Sequence, residues 1–255
     1  MRADAIFARR WIAKTVLVIA VAALCVRLGI WQLDRLGQRR AFNDHVTFIR
    51  ALPILALPTG DDLETQEYRW VRVLGSYDHE RQVALRNQAH EGQYGFHLIT
   101  PLRIEDPSGA AGERAVAILV DRGWIPGAGN DRRLDWRKYD QAGEVEALGV
   151  IRLGHNAPLR GGMAQPAALP PHEQIDHLLY VDLDQISQQL PYAVLPVYLQ
   201  LDRHENTPDL PLAAAPIPEL TEGPHLGYAM QWFAFGAILV VGYPFYVGKQ
   251  EAGRV

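Results

Sequence analysis

The chain has 255 residues, of which 48% are hydrophobic and 21% are charged, and this composition, ordinary for a folded protein, excludes disorder as its main state. The formal net charge of -4 argues against nucleic acid as a partner, because proteins that bind phosphate backbones concentrate Lys and Arg on one face. The one cysteine, Cys25, lies in the first apolar run, so no disulfide is available to stabilise the rest of the chain.

The first apolar run predicts a membrane-spanning helix at residues 14–35, after a short tail at residues 1–13. Its uncharged part, residues 15–26, is too short to cross a hydrocarbon layer of roughly 30 Å, so the helix must continue past Arg27. The alternative is a cleaved signal peptide, because Ala20-Val21-Ala22 resembles a cleavage site behind a short apolar stretch.

A large domain is predicted beyond this helix, at residues 36–224. Apolar residues recur at roughly helical spacing up to Pro53, which predicts that the first helix continues outward as an amphipathic stem. Between the last two predicted strands, residues 183–190 predict a short helix with Asp182 as its N-cap. The strands are predicted from segments rich in Val, Ile, Leu and Tyr, at residues 68–77, 82–86, 96–104, 115–122, 145–153, 177–181 and 194–202. So many short strands in one domain favour a closed barrel or a sandwich.

The second apolar run predicts a membrane-spanning helix at residues 225–247, because residues 226–248 carry no formal charge. A Pro-rich linker at residues 207–224 precedes this helix, and a tail at residues 248–255 follows it. The fold class is therefore a membrane α plus β protein. Two transmembrane helices, one N-terminal and one C-terminal, flank a mainly β outer domain that is barrel-like or a sandwich.

The basic residues beside the two helices predict the orientation of the chain, because Lys and Arg accumulate in short cytoplasmic flanks. They are Arg2, Arg9, Arg10 and Lys14 before the first helix, and Lys249 and Arg254 after the second. Both termini are thus predicted to be cytoplasmic, and the domain between the helices lies on the outer side of the membrane. That side is the periplasm in a bacterium and the intermembrane space in a mitochondrion.

The sequence carries no motif for catalysis, so no enzyme is predicted. No serine lies in a G-x-S-x-G elbow, and there is neither a phosphate-binding glycine loop nor an H-E-x-x-H zinc pair. Asp121-Arg122-Gly123-Trp124 ends a buried-looking strand. We expect Asp121 and Arg122 to pair with neighbouring groups while Gly123 turns the chain.

His225 is the first candidate for binding, because it lies at the outer edge of the second helix. On a helix it shares a face with Tyr228 or Ala229, then with Trp232 and Gly236. An imidazole above an aromatic and a small residue suits a flat, apolar, metal-containing ligand such as a haem, with the neutral imidazole as the iron ligand. The alternative is an interfacial histidine that hydrogen-bonds headgroups or the neighbouring helix.

Arg27, Trp31 and Arg35 of the first helix form the second candidate for binding, because they are spaced four apart and share a face. Trp31 is predicted at headgroup depth, where aromatic residues are enriched. Two guanidiniums near the outer interface could hold carboxylates such as propionates, although lipid phosphate is the commoner partner of such residues.

Four sequence segments span nearly the whole chain. They are Leu28-Gly29-Ile30-Trp31-Gln32-Leu33-Asp34-Arg35-Leu36, Tyr94-Gly95-Phe96-His97 running to Thr100-Pro101-Leu102, Val120-Asp121-Arg122-Gly123-Trp124-Ile125-Pro126, and His225-Leu226-Gly227-Tyr228-Ala229-Met230-Gln231-Trp232-Phe233. In this order they resemble the Surfeit locus protein one family, whose members are assembly factors for haem-copper cytochrome c oxidase.

This resemblance implies two membrane helices with both ends inside, a β-rich outer domain, and a non-enzymatic role in maturing the oxidase. It implies that haem a is delivered to or inserted into the catalytic subunit, with that subunit, the membrane and the haem a synthesis machinery as partners. In bacterial members haem a binding is attributed to the histidine that opens the second helix, which is His225 here.

The location implied by the resemblance is the bacterial inner membrane, with the main domain in the periplasm. Two other functions stay open from the sequence. One is a structural assembly scaffold that does not bind haem, and the other is a membrane-anchored receptor or enzyme.

Overall fold

The structure is a computed structural model that describes residues 8–56, 62–104, 116–154, 174–202, 211 and 220–253. The chain divides into two compact units, which are Met1–Thr47 with Glu219–Val255, and Phe48–Pro218. Most of the Pro-rich linker predicted at residues 207–224 lies outside the described residues.

The helices and strands follow one another in the order that the sequence predicts. In chain order they are α1 (Ile12–Ala51), β1 (Trp70–Tyr77), β2 (Val83–His90), β3 (Gln93–Ile104), β4 (Val116–Pro126), α2 (Arg133–Trp136), β5 (Glu144–Arg152), β6 (His177–Leu178), α3 (Leu183–Ser187), β7 (Ala193–Leu201) and α4 (His225–Ala252). Short 3₁₀ turns lie at Leu63–Gln66, His79–Arg81 and Arg137–Tyr139. The prediction of two apolar helices flanking a β domain is confirmed, whereas α2 was not predicted.

Both long helices, α1 and α4, are long and apolar enough to cross a membrane. α1 has 40 residues, so it extends for about 60 Å and runs without a break through the predicted span and the predicted stem. It ends at Ala51, two residues before Pro53, as expected because proline disfavours a helical conformation in the residue that precedes it.

Five of the strands close a barrel. β1 pairs with β5, β5 with β7, β7 with β4, β4 with β3, and β3 with β1. Among these five strands only the β4 and β7 pair is parallel, and this connectivity is that of the five-stranded Greek-key barrel called the OB fold. The pairing of β1 with β3 decides for a barrel over a sandwich, because it joins the edge strand β1 back to β3 and so closes these five strands on themselves.

A glycine makes this closure possible. Gly75 in β1 lies opposite Ile104 in β3, and a Cβ at Gly75 would collide with the backbone carbonyl oxygen of Arg103. The two strands can therefore approach at this crossing only because residue 75 has no side chain.

The interior of the barrel is filled by apolar side chains from all five strands. A second apolar cluster lies where β2, β3 and β4 pack against α3, whose N-cap Asp182 accepts the backbone N–H of Gln185 at 2.9 Å. This cap confirms the predicted start of α3, which ends at Ser187 rather than at residue 190. Buried residues of the barrel interior are Leu63, Val71, Val73, Leu102, Ile118, Val120, Val145, Ala147, Ile151, Val197 and Leu199.

The prediction that Gly123 turns the chain at a strand end was wrong, because β4 continues to Pro126. Asp121 pairs with Ile99 and Trp124 pairs with His97, so two residues of β4 face one residue of β3 in a β-bulge. Gly123 lies in this bulge with φ +116, a conformation that glycine adopts more readily than other residues. Its backbone N–H donates to Asp121 Oδ1 at 3.0 Å, which fixes the bulge.

The prediction that Asp121 and Arg122 pair with neighbouring groups is confirmed. His97 Nδ1 lies 3.0 Å from Asp121 Oδ1, and both side chains are buried. Burial favours the neutral imidazole, but the charge of Asp121 and the hydrogen bond to it outweigh burial and raise the pKa of His97. Arg122 Nη2 donates to the backbone oxygen of Tyr139 at 2.6 Å, and its guanidinium lies 4.8 Å from the centre of the Tyr77 ring.

We expect Gly123→Val to destabilise the protein by about 1 to 3 kcal/mol, because a β-branched residue is strained at a positive φ. The check is the urea unfolding midpoint of the purified full chain. Leu134→Ala is the control, since Leu134 is 65% exposed outside the bulge and its truncation should change stability by less than about 0.5 kcal/mol. Equal midpoints for the two variants would contradict the strain at Gly123.

Candidate functional site in the helix pair

The two long helices pack against each other in antiparallel orientation within their unit. Thr15 near the start of α1 contacts Tyr243 near the end of α4, and Gln32 contacts His225 at the start of α4. The buried residues are Thr15, Ala22, Cys25, Gly29 and Leu36 in the part of α1 up to residue 36, and Ala229, Gly236 and Val247 on α4. They follow one another mostly at three-residue and four-residue steps or multiples of these, the spacing by which side chains of two helices interlock.

Small residues bring the two helix backbones close together. A Cβ at Gly236 would lie 3.6 Å from Cys25 Cβ, and a Cβ at Gly29 would lie 2.5 Å from the ring of Phe233. Inside a membrane such close backbone contact drives helix association, since lipid offers no hydrophobic gain for pairing. We call this set of contacts the helix seam.

Polar contacts join the two helices at the end where α1 begins and α4 ends. Thr15 Oγ1 is 2.8 Å from Tyr243 Oη, and Trp11 Nε1 donates to Glu251 Oε1 at 2.8 Å. Arg10 forms an ion pair with the same carboxylate. These contacts fix the register of the two helices.

His225 lies at the opposite end of the helix seam. Its Nδ1 is 2.8 Å from Gln32 Oε1, and because an amide oxygen only accepts, Nδ1 carries the proton and donates. In the neutral ring, Nε2 is then the atom with a free lone pair. Within the part of the chain that the structure describes, no hydrogen bond to Nε2 is formed.

The backbone before α4 runs beside the Nε2 edge of His225 at Gly223. Gly223 has φ +69, and a Cβ there would lie in ordinary van der Waals contact with His225 Nε2, at 3.5 Å. The neighbouring Glu222 receives two hydrogen bonds from Arg40, each at 2.9 Å. The segment before α4 is thus attached to α1 at Arg40 as well as at Gln32, which positions the imidazole.

The other predicted residues of α4 take different places. Ala229 and Gly236 lie buried in the helix seam, so Ala229 rather than Tyr228 continues the face of His225. Tyr228 is 48% exposed and Trp232 is half-buried, and both lie on the flank of the helix seam. The Trp232 ring meets the Phe235 ring edge-on, with centres 6.0 Å apart.

The structure separates Arg27 from Arg35, two of the three predicted residues of α1. Arg35 lies over Trp31, with its guanidinium 5.6 Å from the ring centre, and is one helical turn from Gln32. Arg27 is two residues from both Cys25 and Gly29, which is about 200° around the helix from each, so it points away from α4. Arg35 therefore lies on the side of His225 and Arg27 does not.

Sequence reasoning missed Gln32, Gly223, and the pair formed by Arg40 and Glu222. Gln32 was detectable in principle, because an uncharged polar residue inside a predicted span usually bonds across helices. Its partner was not detectable, since Gln32 and His225 are 193 residues apart.

The fold and site define a class of protein in which a closed barrel domain is flanked by two terminal apolar helices, consistent with a membrane protein. The SURF1 family model matches residues 19–237 of this chain. The chain therefore belongs to the SURF1 family.

Curated relatives share about a quarter of their residues with this chain over nearly its full length. Surfeit locus protein 1 of Takifugu rubripes is 24% identical over 237 residues, covering 86% of this chain and 91% of that protein. A SURF1-like protein of Mycobacterium tuberculosis is 24% identical over 253 residues, covering 96% and 86%. A SURF1-like protein of Rickettsia felis is 25% identical over 241 residues, covering 91% and 96%.

The helix seam predicts a specific cross-link. Gly236→Cys should form a disulfide with Cys25, because the two Cβ atoms would be 3.6 Å apart, within the usual range for disulfides. The check is loss of thiol labelling after mild oxidation of membranes, restored by reductant. Gly242→Cys is the matched control on α4, since a Cβ there has no atom within 4 Å and its thiol should stay reactive. Equal labelling of the two variants would contradict the helix seam.

Proposed function

We propose that this chain is an assembly factor for haem-copper cytochrome c oxidase and binds haem a through His225 on the way to the catalytic subunit. Membership of the SURF1 family supports a role in cytochrome c oxidase assembly in general. The catalytic subunit and the haem a synthesis machinery are the proposed partners. The chain holds and transfers the haem without acting as an enzyme on it.

The hydrogen bond between His225 and Gln32 is the observation that supports haem binding most directly. Histidines that ligate metals almost always donate their second ring N–H to a fixed acceptor, which sets the tautomer and orients the ring. Gln32 is such an acceptor for Nδ1, and it leaves Nε2 available to an iron atom.

The surroundings of His225 also fit the rest of a haem. The half-buried Trp232 and the exposed Tyr228 offer aromatic surface for an apolar macrocycle. The Arg35 guanidinium, steadied over Trp31, is the cation that we assign to a propionate carboxylate. Arg27 is left out of this set, because it points away from α4.

We place the helices in a bacterial inner membrane with both termini in the cytoplasm and the barrel in the periplasm. The apolar helices support the membrane location, and the basic residues at both ends of the chain support the orientation. SURF1-like proteins of bacteria such as Mycobacterium tuberculosis and Rickettsia felis are among the relatives.

A second function has one observation in its favour. The hydrogen bond between Gln32 and His225 could serve only to pair the helices, in which case the chain is a structural scaffold that does not bind haem. The two functions differ in whether Nε2 of His225 receives a ligand.

The orientation predicts where fused reporters are active. A reporter that works only outside the cytoplasm should be active when inserted in the loop at Gly129 and inactive when fused after the last residue. A reporter that fluoresces only in the cytoplasm serves as the control and should show the opposite pattern. Activity of the first reporter at the C-terminus would overturn the orientation.

We expect His225→Ala to lose haem a while its level in the membrane stays normal, because the apolar residues of α4 are unchanged. The measurement is the ratio of haem a to protein, with the absorption spectrum, for variants purified from cells that make haem a. His45→Ala is the control, since His45 is an exposed histidine of α1 that lies 13 residues after Gln32, or about 20 Å along the helix. An unchanged ratio and spectrum for His225→Ala would refute haem ligation and favour the scaffold.

Gln32 variants extend the same experiment to the orientation of the imidazole. Gln32→Leu should weaken haem a binding by roughly 10-fold to 100-fold, the usual cost of removing a partner that orients a ligating histidine. Gln32→Glu keeps an acceptor for Nδ1, so it should retain binding with a shifted spectrum. Haem affinity that is the same for Gln32→Leu and the parent would show that Gln32 does not position His225.

A further inference from the structure

Among the residues that the structure describes, Arg27 has no partner, and it lies in an apolar stretch of α1. Between residues 15 and 33 it is the one formally charged side chain. It is exposed, and within the described part of the chain it forms no hydrogen bond, ion pair or ring contact. A charged side chain at membrane depth is costly unless it faces a partner or water, so an unpartnered one indicates a functional contact.

The helix seam cannot supply that partner. Arg27 lies about 200° around α1 from Cys25 and Gly29, both of which are buried against α4. The same geometry excludes a propionate of a haem on His225, because His225 bonds to Gln32 on the α4 side of α1.

The headgroup region is also a poor partner for Arg27. The nearest charged residues along α1 are Asp34 and Arg35, seven and eight residues on, which is about 11 Å of helix. Helical side chains lean toward the N-terminus of their helix, so the Arg27 guanidinium leans away from that nearer polar end. In the other direction, 13 residues or about 20 Å of helix separate it from Lys14.

The surface over which Arg27 leans is suited to another helix. Ala23 and Ala20, four and seven residues before Arg27, are small and exposed on the same side of α1. Small residues let a second helix backbone approach closely inside a membrane. Trp31, four residues after Arg27, borders this surface and is 43% exposed. We call Ala20, Ala23, Arg27 and Trp31 the Arg27 face.

We propose that the Arg27 face docks a transmembrane helix of a partner protein, and that this helix carries a carboxylate at the depth of Arg27. Charge complementarity selects this partner, because a carboxylate on a helix can reach a depth that a lipid phosphate does not. The proposal goes beyond haem binding and rests only on α1 crossing the membrane, so it stands or falls independently of His225.

The test uses the full chain in vesicles of neutral phosphatidylcholine. Its probes are synthetic polyleucine transmembrane helices that carry a single Glu about 11 Å from one end of the span, or Leu at that position. Energy transfer between a fluorophore on the chain and one on the probe measures association. We expect the Glu helix to bind at least about tenfold more tightly than the Leu helix, and Arg27→Leu to abolish that preference.

Two further variants make the result specific to the face and the charge. Arg27→Glu should prefer a probe helix with Lys in place of Glu, since the charges are exchanged. The double variant Arg27→Leu with Val26→Arg keeps a cation at nearly the same depth but moves it about 100° around α1, and it should not bind the Glu helix.

Three outcomes would overturn the proposal. The first is equal binding of the Glu and Leu helices to the parent chain, which would show that Arg27 does not select a carboxylate. The second is binding of the Glu helix by the double variant as tightly as by the parent chain. This would show that a cation at this depth is sufficient and that its position on the Arg27 face does not matter. The third is loss of Glu-helix binding when anionic phospholipid is added in moderate amount, which would identify lipid phosphate as the preferred partner.

Discussion

The helix seam is the constraint on which the candidate site depends. Glycine and alanine at its centre let α1 and α4 approach, and this approach places Gln32 within 2.8 Å of His225. A Cβ at Gly29 would lie 2.5 Å from the ring of Phe233, two turns from His225, so this ring would have to move. The position of the imidazole therefore depends on close packing elsewhere in the pair. In lipid this dependence is strong, because close packing replaces the hydrophobic effect as the force between helices.

Within the other unit, the barrel combines an apolar interior with a buried polar bulge. The pair of His97 and Asp121 is enclosed, and Gly123 directs its N–H to the same carboxylate. Asp121 thus accepts from a side chain and from the backbone, which satisfies a buried charge that would otherwise be costly. The raised pKa of His97 follows from this arrangement, since the carboxylate favours the protonated ring against the effect of burial. All these contacts lie inside the domain, so we assign them to its stability.

The sequence predicts the elements of this chain well and their long-range contacts poorly. The seven strands follow from segments rich in Val, Ile, Leu and Tyr, and both long helices follow from uncharged apolar runs, because both signals are local. The closure of the barrel cannot be predicted in this way, because it depends on the pairing of β1 with β3, which are separated in the chain by β2. The only local sign of this pairing is the glycine at position 75. The bulge at Gly123 is equally hard to predict from the sequence, since a glycine after a strand motif fits a turn or a bulge equally well.

For the candidate site, the sequence identified His225 as a residue of interest but not the acceptor that orients it. An isolated histidine at the start of an apolar helix is compatible with headgroup contact, helix pairing or metal ligation. The contact with Gln32 adds one fact that bears on metal ligation. It assigns the proton to Nδ1 and leaves Nε2 with its lone pair. That assignment requires the tertiary structure, since it joins the two ends of the chain.

The division of Arg27 from Arg35 shows why spacing by four residues is an unreliable sign of a shared site over several turns. Each residue of a helix advances by about 100°, so a step of four advances by about 40° beyond a full turn, and two such steps by about 80°. Arg27 and Trp31 are neighbours on one face, and so are Trp31 and Arg35. The rotation of about 80° nevertheless carries Arg35 toward the flank of the helix seam and leaves Arg27 on the opposite side of α1. Two guanidiniums that the sequence groups in one candidate site thus lie on two surfaces, one beside His225 and one that faces away from α4.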